Sequence, residues 1–336
     1  MIELPGSFGG RQTPAVAARK DAAYRKFADE LRTMASSIDF KVSSRGWCYI
    51  LEEHGLTKDK FDLAEARINI CRKTGYLPLD FTATDEARVH RGTDGTETDF
   101  QLDDELDWIW KDIEEKLDTY APVRWVDYQH HYVEVIVEKV DLVSLNAPVC
   151  KKVHVPITNA RGDTDINSKA QMFLRFQAAS RRGQSPVLLL EGDHDPKGLL
   201  IHDYMRKQFL DLVGLQMEDG TRLEWNPNEL EIVRFGLNED FIRANNLSVS
   251  NNLITGSGGD LANPKHPDHK KPYVQQYLAQ FGVWKCEANA LVTRVNAGQQ
   301  LMRDALAPYI DLNGVARYEA AIAKARKEIR AAAPNY

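Results

Sequence analysis

The sequence predicts an α/β fold preceded by a small helical module. Two apolar runs, 132–138 and 186–192, lack a helical period and are bounded by turn residues, as buried strands are. From residue 123 onward, strand-like and helix-like stretches alternate, the pattern of a mainly parallel sheet. Before residue 90 the dominant period is helical.

In the module, residues 14–37 place Tyr24, Phe27, Leu31 and Met34 on one helical face. Ser43 and Ser44 can cap a second helix running from Arg45 to His54, which Gly55 stops. Thr57 and Asp59 start a third, with Phe61, Ala64, Ile68 and Cys71 aligned and Gly75 at its end. Residues 76–81 predict a short extended segment. Three helices and a small β element fit a winged-helix module and equally any small helical domain. Residues 91–104 are polar and acidic and predict a linker, followed by a helix carrying Leu106, Trp108, Ile109, Ile113 and Leu117. The expected order is then strand 132–138, helix 139–146, strand 151–156, helix 166–180, strand 186–192 and helix 196–213. A strand and a short helix are expected within 230–250, and a mobile Gly/Pro/His/Lys loop over 256–271. Amphipathic helices over 273–309 and 314–332 close the chain. This divides it into a winged-helix DNA-binding domain (1–90), an acidic linker and helix (91–122) and an α/β domain with C-terminal helices (123–336).

The chain has 336 residues and a net charge of −6. That balance argues against indiscriminate nucleic-acid binding, which needs many lysine and arginine contacts to phosphate. Acidic residues concentrate between Glu97 and Asp118. Basic residues gather at Arg161, Arg181, Arg182, Lys197, Arg206, Lys207 and Lys265 to Lys271, a pattern compatible with a local DNA-binding face. No apolar run could span a bilayer, and the first residues do not resemble a secretory signal. Cys48, Cys71, Cys150 and Cys286 are scattered without a CxxC pair, so reduced thiols and a cytoplasmic location are expected.

The chemistry concentrates where the apolar runs end. The strand 186–192 leads into Asp193-His194-Asp195-Pro196-Lys197-Gly198, and the strand 132–138 ends in Glu138. Ligands of open α/β sheets bind beyond the carboxyl ends of strands. Glu138, Asp193 and Asp195 would converge there as oxygen ligands for a hard cation such as Mg²⁺. Asp195 is also a natural N-cap before Pro196, and Lys139 or Arg161 could balance the acids instead of a metal. His194 points the other way on an extended segment and is not expected to be a ligand. Arg45 and Tyr49 share a helix face, so the arginine could stabilise a phosphodiester that the tyrosine attacks; the competing reading is that Tyr49 is a packing residue. No GxxxxGK[ST] motif occurs. His266 and His269 lie in a basic loop without further metal ligands and read better as part of a backbone-contacting surface.

These residues, in this order, resemble the A subunit of topoisomerase VI and its meiotic relative that makes recombination-initiating breaks. Five pieces carry the resemblance: Arg45-Gly46-Trp47-Cys48-Tyr49; Cys71 to Pro78 with Asp85 to Arg88; the glutamate strand Val133 to Lys139; Arg161-Gly162; and Gly192 to Gly198. Gly236 to Asp240 and the Glu287 segment are similar to later family segments. Cys48 stands where the family carries an aromatic residue. The resemblance implies a winged-helix (CAP-like) domain joined to a Toprim domain, with Rossmann-like topology. It implies Mg²⁺-dependent DNA cleavage by tyrosine transesterification, with Mn²⁺ able to substitute. Tyr49 would be the nucleophile, Arg45 its phosphate partner, Glu138, Asp193 and Asp195 the metal ligands, and Arg161 and Lys197 nucleic-acid contacts. It also implies double-stranded DNA as partner, a nucleoid-associated location, and a homodimer in which one subunit's tyrosine meets the other's metal site. The topoisomerase further needs a separate ATPase subunit. Two alternatives stand beside it: a Toprim nuclease of the Wadjet type, hydrolysing DNA with a metal-activated water, and a non-enzymatic DNA-binding subunit.

Overall fold

The computed structural model describes residues 2–6, 13–83, 102–121, 123–159, 166–255 and 258–332, with side chains of the acidic helix described from residue 109. Its elements are α1 (Pro14–Ala35), α2 (Ser44–Glu53), α3 (Phe61–Lys73), α4 (Leu102–Thr119), β1 (His131–Val137), α5 (Val140–Lys152), β2 (Ile157–Asn159) and α6 (Ile166–Arg181). There follow β3 (Ser185–Glu191), α7 (Ile201–Leu210), β4 (Glu231–Arg234), α8 (Glu239–Ala244), α9 (Pro272–Phe281), α10 (Val295–Leu306) and α11 (Leu312–Ala332).

The four strands form one all-parallel sheet in the order β2-β1-β3-β4. The chain leaves β1 in one direction to make β2, then returns past it to make β3 and β4. The topology therefore reverses between β1 and β3, where a crevice opens at the carboxyl ends of parallel strands. Val137 and Glu191 are opposite each other at that edge, and the Glu138 amide donates to the Glu191 carbonyl at 3.1 Å.

Both faces of the sheet are covered, which explains why its central strands are nearly continuous apolar runs. Val133, Val135, Val137, Val187 and Leu189 pack beneath α5 and α10. Ile136, Leu188 and Leu190 pack on the opposite face with Phe173 and Phe176 of α6 and Phe209 of α7. The N-terminal helices bury their own core of Tyr24, Phe27, Leu31, Trp47, Leu51, Phe61 and Ile68. That core also takes in Val292 from the far end of the chain.

Several expectations need correction. Residues 76–81 form turns rather than a strand: Gly75 sits at φ +80°, and the Phe81 amide closes a turn on the Pro78 carbonyl at 3.1 Å. Leu77 is buried in the helical core, but no second strand lies beside it among the described residues. Residues 13–83 are thus helical, without the β element of the winged-helix expectation. The strand expected over 151–156 is displaced, because α5 continues through Pro148 to Lys152. His154 then takes φ 55°, and pairing begins at Ile157. The helix expected over 196–213 is a 3₁₀ turn, Gly198–Leu200, running into the shorter α7. The 273–309 stretch is broken by Gly282 at φ +84°, which frees residues 283–294 to cross the sheet edge.

The 256–271 loop, expected to be mobile, is packed where it is described. Leu253, Leu261, Val274 and Tyr277 form a small core, and the Asp260 carboxylate accepts from the Leu253 and Ala262 amides at 3.2 and 2.9 Å. His269 Nδ1 bonds the Leu261 carbonyl at 2.8 Å and His266 Nδ1 accepts from the Asp268 amide at 3.0 Å, so both rings hold turns. All four cysteines are buried and unbridged. No helix among the described residues is long and apolar enough to cross a membrane.

Candidate functional site

The end of β1 and the end of β3 deliver Glu138 and Asp193 to the same point. Glu138 Oε2 accepts the Asp193 amide at 3.1 Å, and Gly192 leaves the space between them: an added Cβ would stand 3.4 Å from Glu138 Oε2. Asp195, two residues on, uses Oδ1 to accept from the Lys197 and Gly198 amides at 2.9 and 2.6 Å. It is therefore a turn cap, as its position before Pro196 suggested, while Oδ2 takes no hydrogen bond among the described residues. Gly198 is required here, because a Cβ would collide with the Asp193 carbonyl.

Lys139 is the cation that the acids share. Its Nζ lies 2.8 Å from Glu138, 3.1 Å from Asp193 and 3.8 Å from Glu287. Of the two balancing cations considered from the sequence, Lys139 serves the first two acids; Arg161 lies outside the described residues. Glu287 reaches the cluster through the 283–294 crossing and also binds Lys58 at 2.5 Å and Lys285 at 3.1 Å. The adjoining Ala288 amide donates to Asp193 Oδ1 at 2.7 Å.

The electrostatics follow from crowding in a dry place. Burial pushes the Asp193 carboxyl well above the usual range; Lys139 opposes this, while Glu138, Glu287 and Asp195 reinforce it. Asp195 is raised mainly by burial, against its bond from Gly198. Burial also acts on Glu287, but Lys58, Lys139 and Lys285 overcome it and hold the carboxyl at about 2. Lys139 pays a desolvation cost that Asp193, Glu138 and Glu287 more than offset, so its ammonium is retained. Among the described residues, no three acid, cysteine or histidine side chains are gathered as metal ligands are.

His194, between the two aspartates, points away as expected. It is buried, bonds the Tyr277 hydroxyl at 2.8 Å, and stacks on Trp284 with ring centroids 4.7 Å apart. Burial lowers its pKa to about 4, keeping the ring neutral. Its backbone pairs with Cys286 in both directions, at 2.9 and 3.0 Å, which joins the Asp193–Asp195 turn to the Glu287 segment.

Tyr49 comes to the same edge because α2 is anchored at both ends. At its start, Ser43 caps the helix by accepting from the Gly46 amide at 2.9 Å. The Ser43 amide and hydroxyl donate to Asp141 of α5 at 2.7 and 3.0 Å. Gly46 lets the backbone approach that carboxylate; a Cβ would collide with it. At the other end, the Thr293 hydroxyl donates to Glu53 at 3.1 Å. The half-buried Tyr49 meets Phe61 edge-on with centroids 5.2 Å apart. Lys58 Nζ lies 5.8 Å from the Tyr49 ring centre, and Tyr49 and Glu287 line one cleft of about 70 Å³. Burial raises the phenol pKa, and Glu287 adds to that more than Lys139 and Lys58 each relieve it.

Arg45, expected as the tyrosine's phosphate partner, is half-exposed and engaged by neighbours on α3. It lies 4.9 Å from the centre of the Phe61 ring and is bound by Asp62 and Glu65 of α3, both at 3.1 Å. Phe61 thus touches both Arg45 and Tyr49, Arg45 also feels the tyrosine's charge, and the cations that act most on the tyrosine are Lys139 and Lys58. Lys197 is exposed in the Asp195 turn. Arg234, which drew no attention in the sequence, is half-buried behind that turn and donates to the Asp193 and Gly198 carbonyls at 3.1 and 3.0 Å. Lys58 and Arg234 carried no motif signal. Glu287 could be found only through the family resemblance of its segment.

No family model matches this chain, and neither a curated protein nor a solved structure matches it.

Proposed function

We propose that the protein is a divalent-cation-dependent DNA-cleaving enzyme of the topoisomerase VI A-subunit type, with the α/β unit as its Toprim domain and the N-terminal helices as its DNA-binding domain. The observation carrying this reading is that a tyrosine on a doubly anchored helix shares a cleft with Glu287, which Lys139 links to Glu138 and Asp193 at the topological switch of a parallel sheet. The three carboxylates are oxygen donors of the kind Mg²⁺ or Mn²⁺ takes, and like charge and burial push Asp193 toward protonation, a deficit that added positive charge would relieve; an ion there would displace Lys139 Nζ from its place 2.8 Å from Glu138 and 3.1 Å from Asp193. Glu138, Asp193 and Asp195 would hold the ion, which when bound supplies positive charge to the scissile phosphate.

The chain's own residues account for the rest. Tyr49 Oη forms a bond to phosphorus while the bond from phosphorus to the 3′ oxygen breaks, and the phenol proton passes to that oxygen. The protein is left joined to the 5′ end. Lys58 and Lys139 stand where charge on the phosphate and the phenolate would need compensation. Lys197 and Arg161 are the proposed backbone contacts, double-stranded DNA the partner, and a homodimer, with or without a separate ATPase subunit, the working form.

The upward shift of the Tyr49 phenol favours one rival, hydrolysis by an activated water with Tyr49 as a packing residue. A single experiment separates them. Supercoiled DNA is incubated with protein and Mg²⁺ or Mn²⁺, then run on a denaturing gel with and without protease. Covalently attached protein that disappears with Tyr49→Phe supports transesterification. Cutting that survives Tyr49→Phe but not Asp193→Ala establishes hydrolysis. The absence of metal-dependent cutting by the wild type, with DNA binding intact in the Asp193→Ala/Asp195→Ala double variant, leaves a binding subunit.

A further inference from the structure

We infer that the segment from residue 258 to Tyr273 is a DNA-binding lip beside the acid cluster, in which Lys265, Lys270 and Lys271 extend the phosphate contact begun by Lys197. This rests on the DNA-cleaving reading above and deepens it by naming a surface along which the duplex lies. Its test reads binding rather than cutting.

The lip is fastened to the Asp193–Gly198 turn. Tyr277 of α9 reaches His194, its hydroxyl lying 2.8 Å from Nδ1 and 3.1 Å from the carbonyl oxygen. Leu199, the residue after that turn, packs against the small core of Leu253, Leu261, Val274 and Tyr277. Within the segment, Asp260, His266 and His269 are spent on holding turns. Gly259 makes room for the His266 ring, since an added Cβ would stand 2.7 Å from Nε2. What remains on the outside is lysine. Lys265, Lys270 and Lys271 are exposed, as is Lys197. Lys271 meets Asp268 at 2.8 Å, while Lys197, Lys265 and Lys270 make no ion pair among the described residues.

Electrostatics join the lip to the turn. Asp268 is held below the usual carboxylate range first by its bond from Lys271, with His266 and Lys197 adding to the effect. The Tyr273 phenol is raised mainly by burial, and Asp268, Tyr204 and Asp195 reinforce it. Tyr273 therefore neighbours both the lip and the Asp195 end of the cluster. The lysines nearer the acids are differently placed: Lys58, Lys139 and Lys285 all reach Glu287. Those of the lip are unanswered charges on a packed platform, which phosphate oxygens can satisfy with release of counterions. They also give a chain of net charge −6 a local field that draws DNA toward a site its own carboxylates would repel.

The test measures fluorescence anisotropy of a labelled DNA duplex with the full chain, in EDTA, over a series of salt concentrations. The triple variant Lys265→Gln/Lys270→Gln/Lys271→Gln should bind more weakly. Its slope of log affinity against log salt should be shallower by about 2 to 3, at roughly 0.9 per lost phosphate contact. Replacing the same three lysines by arginine should restore the slope, which separates lost charge from lost structure. The control removes equal charge from α11, whose Tyr318 packs on Trp125 and Tyr128 ahead of β1, at the opposite end of the sheet. Arg317→Gln/Lys324→Gln/Lys327→Gln should leave the slope at the wild-type value. An unchanged slope in the lip variant, or an equal fall in the α11 control, refutes the lip and leaves the cleavage reading standing. A lip-dependent slope in a protein that cuts no DNA with Mg²⁺ or Mn²⁺ upholds the lip and overturns the cleavage reading. A wild type that binds no duplex overturns both.

Discussion

Two glutamates four residues apart, Glu134 within β1 and Glu138 just past its end, sit in opposite kinds of ionic environment. Glu134 is 2% exposed in the middle of the strand, and its carboxylate is fully matched. Arg175 donates to both oxygens at 2.7 and 2.8 Å, and the Tyr132 hydroxyl donates at 2.8 Å. Glu138, at the strand's end, shares one lysine with Asp193 and Glu287. One acid with one fork-shaped cation is a closed structural unit. Several acids around shared lysines, with Asp193 driven toward protonation, form an electrostatically unsettled cluster of the sort found at functional sites. A buried acid alone therefore says little; what distinguishes the two regions is whether the charge is already answered.

That contrast can be broken in several ways. The largest expected effect is on activity: Asp193→Ala should reduce DNA cutting about 1000-fold, with stability in urea lowered by only about 1 kcal/mol, since relief of like-charge crowding offsets much of the loss of the bonds to Lys139 and the Ala288 amide. A large loss of stability with unaltered cutting would make the Glu138 region structural after all. Next, Arg175→Met should cost about 2–3 kcal/mol in urea unfolding, because it leaves Glu134 buried and unmatched, the exposed half of Arg175 moderating the loss. Its cutting rate per folded molecule should stay at the wild-type level.

Glu191 sharpens the comparison through pH. It ends β3 beside both regions, fully buried, and among the described residues its one donor is Asn146 at 2.7 Å. Burial lifts its pKa from 4.5 to about 8 despite that bond. The folded state thus holds a proton that the unfolded state releases. The associated stability is complete below pH 4.5, declines as pH rises, and is lost once pH passes about 8. Urea midpoints of wild type should fall across that window, by about 1 kcal/mol per pH unit from this group, and Glu191→Gln should flatten the slope. The smallest effect is expected for Thr293→Val, about 1 kcal/mol, since the hydroxyl's bond to Glu53 is lost together with its contacts to the Ala290 carbonyl and the Arg294 guanidinium.

Much of the site was legible in the chain because strands place residues in a simple order. The apolar runs ending in Glu138 and in Asp193-His194-Asp195 marked neighbouring strand ends, and alternation correctly turned His194 away from the aspartates. Asp195 as a cap followed from the proline after it. Lys58, Arg234 and the fixing of α2 by Asp141 and Thr293 were not legible. Their partners lie tens to hundreds of residues away, and no local period records such a contact. The same limit explains residues 76–81, where β-like residues had no strand to join, and residues 151–156, where helical hydrogen bonds carried α5 beyond Pro148.

The sequence by itself determined the periodic elements, the two-sided burial of the central strands and the three carboxylates at their ends, because each depends on neighbours within a few residues. Only the tertiary structure decided that Lys139 answers two of those acids, that Asp62 and Glu65 claim Arg45, and that Tyr49 faces Glu287 across a small cleft. Those outcomes depend on which distant charges are forced together once water is excluded, and side-chain pairing in a folded interior is settled by packing rather than by order along the chain.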